Sequence, residues 1–304
     1  MTRPFRFAIQ TGPFHDVAKL TAWAQLVERL GYDELWSSDH IGTAFGRNSV
    51  DPFAGLIVAA NATESLRVGP LVLNNEFYNP ALLARTAISV DQMTSGRLIL
   101  GLGTGYARVE HDAIGMDLLA PGRRVTRFSE SLQVLRQLLD TGACSFQGQH
   151  HAIEIDDLGI TPRQSHIPFL IGGHGRRVVG LAGQYADIFQ FTGLTHAADG
   201  TPSGGGFGID DIRLRAQWLT EAAGDRDAHI ERSALVQYTA VGEDAAPPSK
   251  RYADIADDSP FLLSGSLEQL VDKLERLREE VGISHFVVRD PEGFAPVVDA
   301  LAGR

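Results

Sequence analysis

Two adjacent side chains, Asp39 and His40, have the types and spacing best suited to chemistry. Imidazole titrates near neutrality, so it can give or take a proton as a reaction proceeds. A neighbouring carboxylate would hold one tautomer and favour the protonated ring. The competing reading is a loop aspartate that caps a helix beside an idle histidine. Two glycine-rich turns follow later in the chain. Gly103-Thr104-Gly105 lets backbone approach a ligand closely, and the Thr104 hydroxyl can bond a ligand oxygen. Gly172-Gly173-His174-Gly175 runs into Arg176-Arg177, an arrangement of free backbone N–H groups and guanidinium that suits a phosphate. Each turn also reads as a strand end that needs glycine for its geometry, with His174 simply solvated. His150-His151 reads as surface. His111, His166, His196 and His285 have no Cys, Asp or His partners at ligand spacing, so no metal site is expected. No Gly-x-Ser-x-Gly elbow surrounds a serine.

The elements that must position these residues alternate between strand and helix. Phe5–Gln10 alternates like a strand and stops at Thr11-Gly12-Pro13. Asp16 then caps a helix through Val17, Leu20, Ala24, Val27 and Leu30 that ends at Gly31. Asp33–Trp36 is a second strand, 52–63 a helix, and Leu66–Leu73 a third strand. Asn79-Pro80 opens a helix to Met93, and Arg97–Leu102 is the fourth strand. Helix over 122–140 and a hairpin-like insertion over 143–160 precede strands at Pro168–Ile171 and Ala186–Phe191, with a helix at Arg176–Gln184 between them. A helix at 209–223, a strand at 234–241, a helix opened by the capping box Ser266/Gln269, the strand Ile283–Val288 and the helix Phe294–Leu301 complete the count. Eight such units predict an α/β fold, a single (β/α)8 TIM barrel over 1–304 with insertions in its C-terminal-face loops. An open doubly wound sheet is disfavoured, because no Gly-x-Gly-x-x-Gly follows the first strand.

In such a barrel function sits at the carboxyl ends of strands. That rule selects Gln10-Thr11-Gly12, Ser37-Ser38-Asp39-His40, Val72-Leu73-Asn74-Asn75, Gly101–Tyr106, Gly172–Arg177 and Arg289. Composition narrows the partners. With 27 basic against 38 acidic side chains, the net charge is −11, which disfavours nucleic acid. A single cysteine, Cys144, excludes an internal disulfide and fits a reducing compartment. Met1–Gln10 reads as a strand and not a signal peptide, and no apolar run approaches the roughly 18 residues that span a bilayer. The expected location is the cytoplasm.

Trp36-Ser37-Ser38-Asp39-His40, the stretch from Asn79-Pro80 through Asp91-Gln92-Met93-Thr94-Ser95-Gly96-Arg97-Leu98, the Gly103-Thr104-Gly105 turn, and Gly172-Gly173 with Ala186-Asp187 resemble the luciferase-like monooxygenase family. The similarity covers almost the whole chain in order. Ser-Asp-His after the second strand is similar to the branch that uses coenzyme F420, a deazaflavin hydride carrier; the other branch uses reduced FMN with oxygen. The resemblance implies that Asp39 and His40 lie against the deazaflavin ring and act in catalysis. It also implies a cis peptide at Leu71–Val72 behind the ring. Cofactor contacts would come from Leu71, Val72, Asn74, Gly103, Thr104 and Gly105, with Gly172, Gly173, His174, Gly175 and Arg176 at the phosphate. The expected activity is hydride transfer between F420 and an organic small molecule by a homodimer. The alternatives are an FMN-dependent monooxygenase and a barrel that binds flavin or another ligand without turnover.

Two departures matter. Relatives that oxidise sugar phosphates carry a catalytic Glu directly after the glycine triplet, where this chain has Tyr106. They also have a Trp soon after Asp-His, where Ile41-Gly42-Thr43-Ala44 stands. A different substrate is therefore expected, selected by the loops at 41–50, 193–208 and 243–261. Phe45, Leu194 and Phe207 suggest that it is bulky and partly apolar, and Glu110 is read as structural.

Overall fold

The computed structural model describes residues 3–12, 14–42, 50–197, 202–203, 205–248, 250 and 252–304. Eight staves form a parallel barrel. They are β1 (Arg6–Gln10), β2 (Glu34–Ser37), β3 (Arg67–Pro70), β4 (Leu100–Gly103), β5 (Phe169–Gly173), β6 (Ile188–Phe191), β7 (Glu231–Leu235) and β8 (Ile283–Val288). The third stave is interrupted: after β3 comes a cis peptide at Leu71–Val72, and the strand resumes over Leu73–Asn74 beside β4. Around the barrel the order is β3-β2-β1-β8-β7-β6-β5-β4. The seam between β3 and β4 closes where Val68 N–H donates to Arg97 O at 3.0 Å and Ile99 N–H to Val68 O at 2.9 Å.

Alternation along each strand sorts side chains between two cores. Phe7, Ile9, Leu35, Val68, Phe189 and Phe286 face the surrounding helices. Ala8, Trp36, Leu71, Ile99, Leu170, Ile188 and Val287 fill the barrel interior. Below them, at the amino ends of the strands, the interior is charged. Arg6 bonds Glu34 and reaches Glu231 at 2.9 Å, and His285 Nε2 lies 3.1 Å from Glu34. Gly69 makes room for Trp36: a Cβ there would meet the indole and the Ile99 carbonyl.

The helices begin where capping chemistry places them. Asp16 accepts from Lys19 N–H at the start of α1 (Val17–Arg29), and Asp51 caps α2 (Pro52–Asn61). Asn79 and Pro80 start α3 (Pro80–Met93), whose N-terminal N–H groups the Asn79 side chain satisfies. A short α4 (Arg108–Ala113), the long α5 (Pro121–Thr141), α6 (Arg176–Tyr185) and α7 (Ile209–Ala223) follow. The capping box at Ser266 and Gln269 opens α8 (Leu267–Val281), and α9 (Pro291–Leu301) ends the fold.

The hairpin expected over 143–160 is present as Cys144–Gln147 against Ala152–Ile155. The seventh strand differs from its expected place. The barrel uses Glu231–Leu235, whereas Tyr238–Val241 leaves the barrel and pairs with Leu262–Gly265. His151 differs too. It is buried, its ring contacts Ser131 Oγ at 3.0 Å, and Glu130 accepts the N–H groups of Gln149, His150 and His151. The expected hairpin tip is therefore folded back onto α5. Among the described residues, no helix is long and apolar enough to cross a membrane.

Candidate active site

The rim at the carboxyl ends of the strands gathers most of the residues singled out by type and spacing. Asp39, just past β2, is buried, and its Oδ2 accepts from Asn74 N–H at 3.1 Å and from Tyr78 O–H at 3.2 Å. It thereby ties the second stave to the segment after the cis bond. Burial raises its carboxyl pKa, a shift that these two donors oppose. The Tyr78 hydroxyl is raised as well, by burial and by the Asp39 charge.

The expectation that Asp39 orients the neighbouring imidazole is not met. The His40 ring turns instead to Glu110 on α4, with Nδ1 at 3.0 Å from Oε1. The same oxygen accepts Ile41 N–H at 2.8 Å. Glu110, read from the sequence as structural, is the carboxylate that the His40 ring meets. It stands 70 residues from His40 and belongs to no pattern that links them. Tyr106 lies between the glycine turn and Glu110, and burial together with the Glu110 charge pushes its hydroxyl up to about 12.

On the same rim, glycines make a seat for one side chain. Val72, on the far side of the cis bond, packs where Gly101, Gly103 and Gly172 face it; Cβ atoms there would come within 3.4, 2.7 and 3.6 Å of its methyls. Gly105, at φ 71°, sits against the Asn74 side chain, which a Cβ would strike. Asn74 Oδ1 accepts Glu76 N–H, whereas its buried Nδ2 has no hydrogen-bond partner. Such orphaned donors are rare in folded interiors and mark a place for a ligand or a water. Thr104 is half-buried at the same turn. A flat heterocycle fits this setting: a valine seated on glycines, a buried orphan amide and an imidazole held by a carboxylate.

At the next stave, Gly172 and Gly173 pair with Gln190 and Phe191 of β6. Gly175 begins α6 with no side-chain cap, leaving its first N–H groups for another acceptor. His174 is half-buried, and burial together with the Arg215 charge lowers its pKa. Arg176 departs from its expected role. It lies over Trp218 at 5.8 Å and 3.9 Å from Glu221, both on α7, and is largely exposed. Arg177 instead crosses to α5, bonding Gly122 O and Thr126 Oγ1. Arg289 joins the rim through Gln10 Oε1 at 2.9 Å and Val236 O at 2.9 Å.

Phe207 does not present its ring as an open apolar surface. It packs edge-on to Phe261 at 5.5 Å and covers Gly193, so it joins the loops after β6 and β7. Leu194 is half-buried, and Phe45 lies outside the described residues, as do Thr43 and Ala44. Among the described residues, no group of three or more His, Cys, Asp or Glu side chains could hold a metal ion.

Fold and rim together define a (β/α)8 barrel whose carboxyl-end rim brings a histidine–carboxylate pair and a cluster of glycines together. The chain belongs to the luciferase-like monooxygenase family, whose sequence model matches residues 3–201. It is 28% identical over 242 residues to 4-hydroxyprotoasukamycin monooxygenase of Streptomyces nodosus subsp. asukaensis, covering 75% of this chain and 61% of that relative. It is 24% identical over 319 residues to F420-dependent glucose-6-phosphate dehydrogenase of Microbacterium testaceum, covering 96% and 93%. The solved structure of the coenzyme F420 dependent tetrahydromethanopterin reductase from Methanopyrus kandleri superposes with a TM-score of 0.75 at 18% identity, over 98% of each chain.

Proposed function

We propose that this protein is an oxidoreductase that transfers hydride between coenzyme F420 and a small organic substrate. The observation that carries the reading is the convergence of Asp39, His40, Val72, Asn74, Gly103–Gly105 and Gly172 on one rim. The named relatives that depend on F420 support the choice of cofactor. F420, when bound, supplies the hydride-carrying carbon of a deazaflavin ring.

The chain's own residues would then do four things. Val72 and the glycines beside it would back one face of the ring. Asn74 Nδ2 would find in a ring oxygen the acceptor it lacks within the protein. His40 would exchange a proton with the substrate oxygen as its carbon gains or loses hydride, a contribution of roughly 10²- to 10⁴-fold. The uncapped start of α6 would take the cofactor phosphate without Arg176. Tyr106, in place of the Glu expected in enzymes that oxidise sugar phosphates, argues for a different substrate from theirs.

Fluorescence titration of the purified protein with F420 and with FMN tests the reading. Quenching by F420 is the expected outcome, and tight binding of FMN without any response to F420 would overturn it. That second outcome would favour an FMN-dependent monooxygenase; the family description and the Streptomyces relative both name a monooxygenase. Binding of neither would favour a barrel without turnover. His40→Ala should lower turnover by about 10²-fold or more with the fold retained. Light scattering tests the accompanying expectation of a homodimer.

A further inference from the structure

Glu110 is 2% exposed, and a carboxylate is buried at a cost unless hydrogen bonds replace its water. The two donors that reach its Oε1, His40 Nδ1 at 3.0 Å and Ile41 N–H at 2.8 Å, both belong to the segment that carries His40. Glu110 therefore holds this one piece of the rim. Its own helix is anchored from behind. His111 is fully buried, and its ring packs on Phe77, from the segment after the cis bond, at 5.0 Å. Adjacent residues thus fasten α4 on one side and grip His40 on the other. Asp39 is turned to a different task, its Oδ2 accepting from Asn74 N–H and Tyr78 O–H.

We infer that Glu110 is the positioning residue of His40: its carboxylate fixes the proton on Nδ1 and leaves proton exchange to Nε2. The inference rests on the reading above that His40 faces the reacting groups. A carboxylate accepts but does not donate when ionised, so the nitrogen facing it must carry hydrogen. The other nitrogen is then a lone pair in the neutral ring. When Nε2 takes one proton from the substrate, the imidazolium stays paired with Glu110, and Nδ1 keeps its own hydrogen. In the reverse direction Nε2 returns that same proton. The carboxylate changes neither protonation nor partner, as in other carboxylate–histidine pairs where the acid orients and stabilises the ring. The pair also couples two parts of the rim, since α4 follows directly from the Gly103–Gly105 turn.

The test reads the tautomer in the full-length protein without cofactor, by long-range nitrogen–proton NMR on isotope-labelled histidine. His40→Ala identifies the signal among the 10 histidines. The wild-type ring should carry its hydrogen on Nδ1 when neutral. Glu110→Ala should release it to Nε2–H, the form free side chains favour. Glu110→Gln keeps an acceptor of the same shape, so it should keep the tautomer while lowering kcat by about 10-fold or more with little change in KM. An Nε2–H ring in the wild-type protein would overturn the inference, and that measurement needs no variant to fold. Unchanged kcat in Glu110→Gln would overturn the stabilising role. Because the tautomer is read without cofactor, the outcomes separate. Nδ1–H with no response to F420 would sink the cofactor assignment alone, and Nε2–H with F420 turnover would sink the role of Glu110 alone.

Discussion

Asp39 and His40 are neighbours in the chain, yet their side chains serve different parts of the barrel. Asp39 reaches back to Asn74 and Tyr78, and His40 reaches across to Glu110. Consecutive residues that leave a strand point to opposite sides, so a pair adjacent in sequence is poorly placed to bond to itself. Asp39→Ala would leave the Asn74 N–H and Tyr78 O–H without their acceptor. Denaturant unfolding should show a loss of about 1–3 kcal/mol. Asp39→Asn retains an acceptor oxygen and should lose less. The place of Asp39 and His40 at the carboxyl end of the second stave was legible from type and position. Their partners were not, because Glu110 meets His40 only after four staves and the intervening loops are assembled.

The glycines of β4 and β5 act together with Val72. Their places in the sequence read as turn chemistry, but at Gly101 and Gly103 the reason is close approach: a side chain would collide with the Pro70 carbonyl or with Val72. In Gly103→Ala the new Cβ lies 2.7 Å from Val72 Cγ2, so the valine must move off its seat. Overpacking of this kind costs about 1–3 kcal/mol. The variant should show a lowered denaturation midpoint together with weakened F420 quenching, whereas a change in midpoint alone would separate that seat from cofactor binding. Helix starts were readable at Asp16, Asn79 and Ser266, because capping is a local bond between a side chain and backbone three residues on. The seventh strand was misplaced for an equally local reason. Glu231-Arg232-Ser233 looks too polar for a barrel strand, and Tyr238–Val241 looks better.

Charge at the barrel floor accounts for Glu231, while Arg232 bonds outward to Val281 O and Asp227; the same floor sets how the whole molecule responds to pH. Burial opposes ionisation of Glu34, but His285 and Arg6 prevail and hold its carboxyl near about 2. Burial also opposes the charge on His285, and Glu34 outweighs it, so the imidazole pKa is raised. A lowered carboxyl contributes stability above its ordinary range near 4.5, and the contribution is lost as pH falls towards 2. A raised histidine contributes fully below its ordinary 6.5, and the contribution is lost as pH rises through its folded value. The stability difference between wild type and His285→Gln should therefore be largest in the mildly acidic range and shrink as the solution is made alkaline. Thermal unfolding across pH checks this, and a constant difference would rule out a charged His285. Alternating elements, caps and the turns that must be glycine follow from the chain alone, since each depends on bonds between near neighbours or on one face of one element. Barrel closure decided the rest: which carboxylate holds His40, which helix takes Arg176, and why acidic and basic residues lie inside β1, β2, β7 and β8. Those outcomes depend on distances between remote residues, and such distances exist only once eight staves surround a common interior.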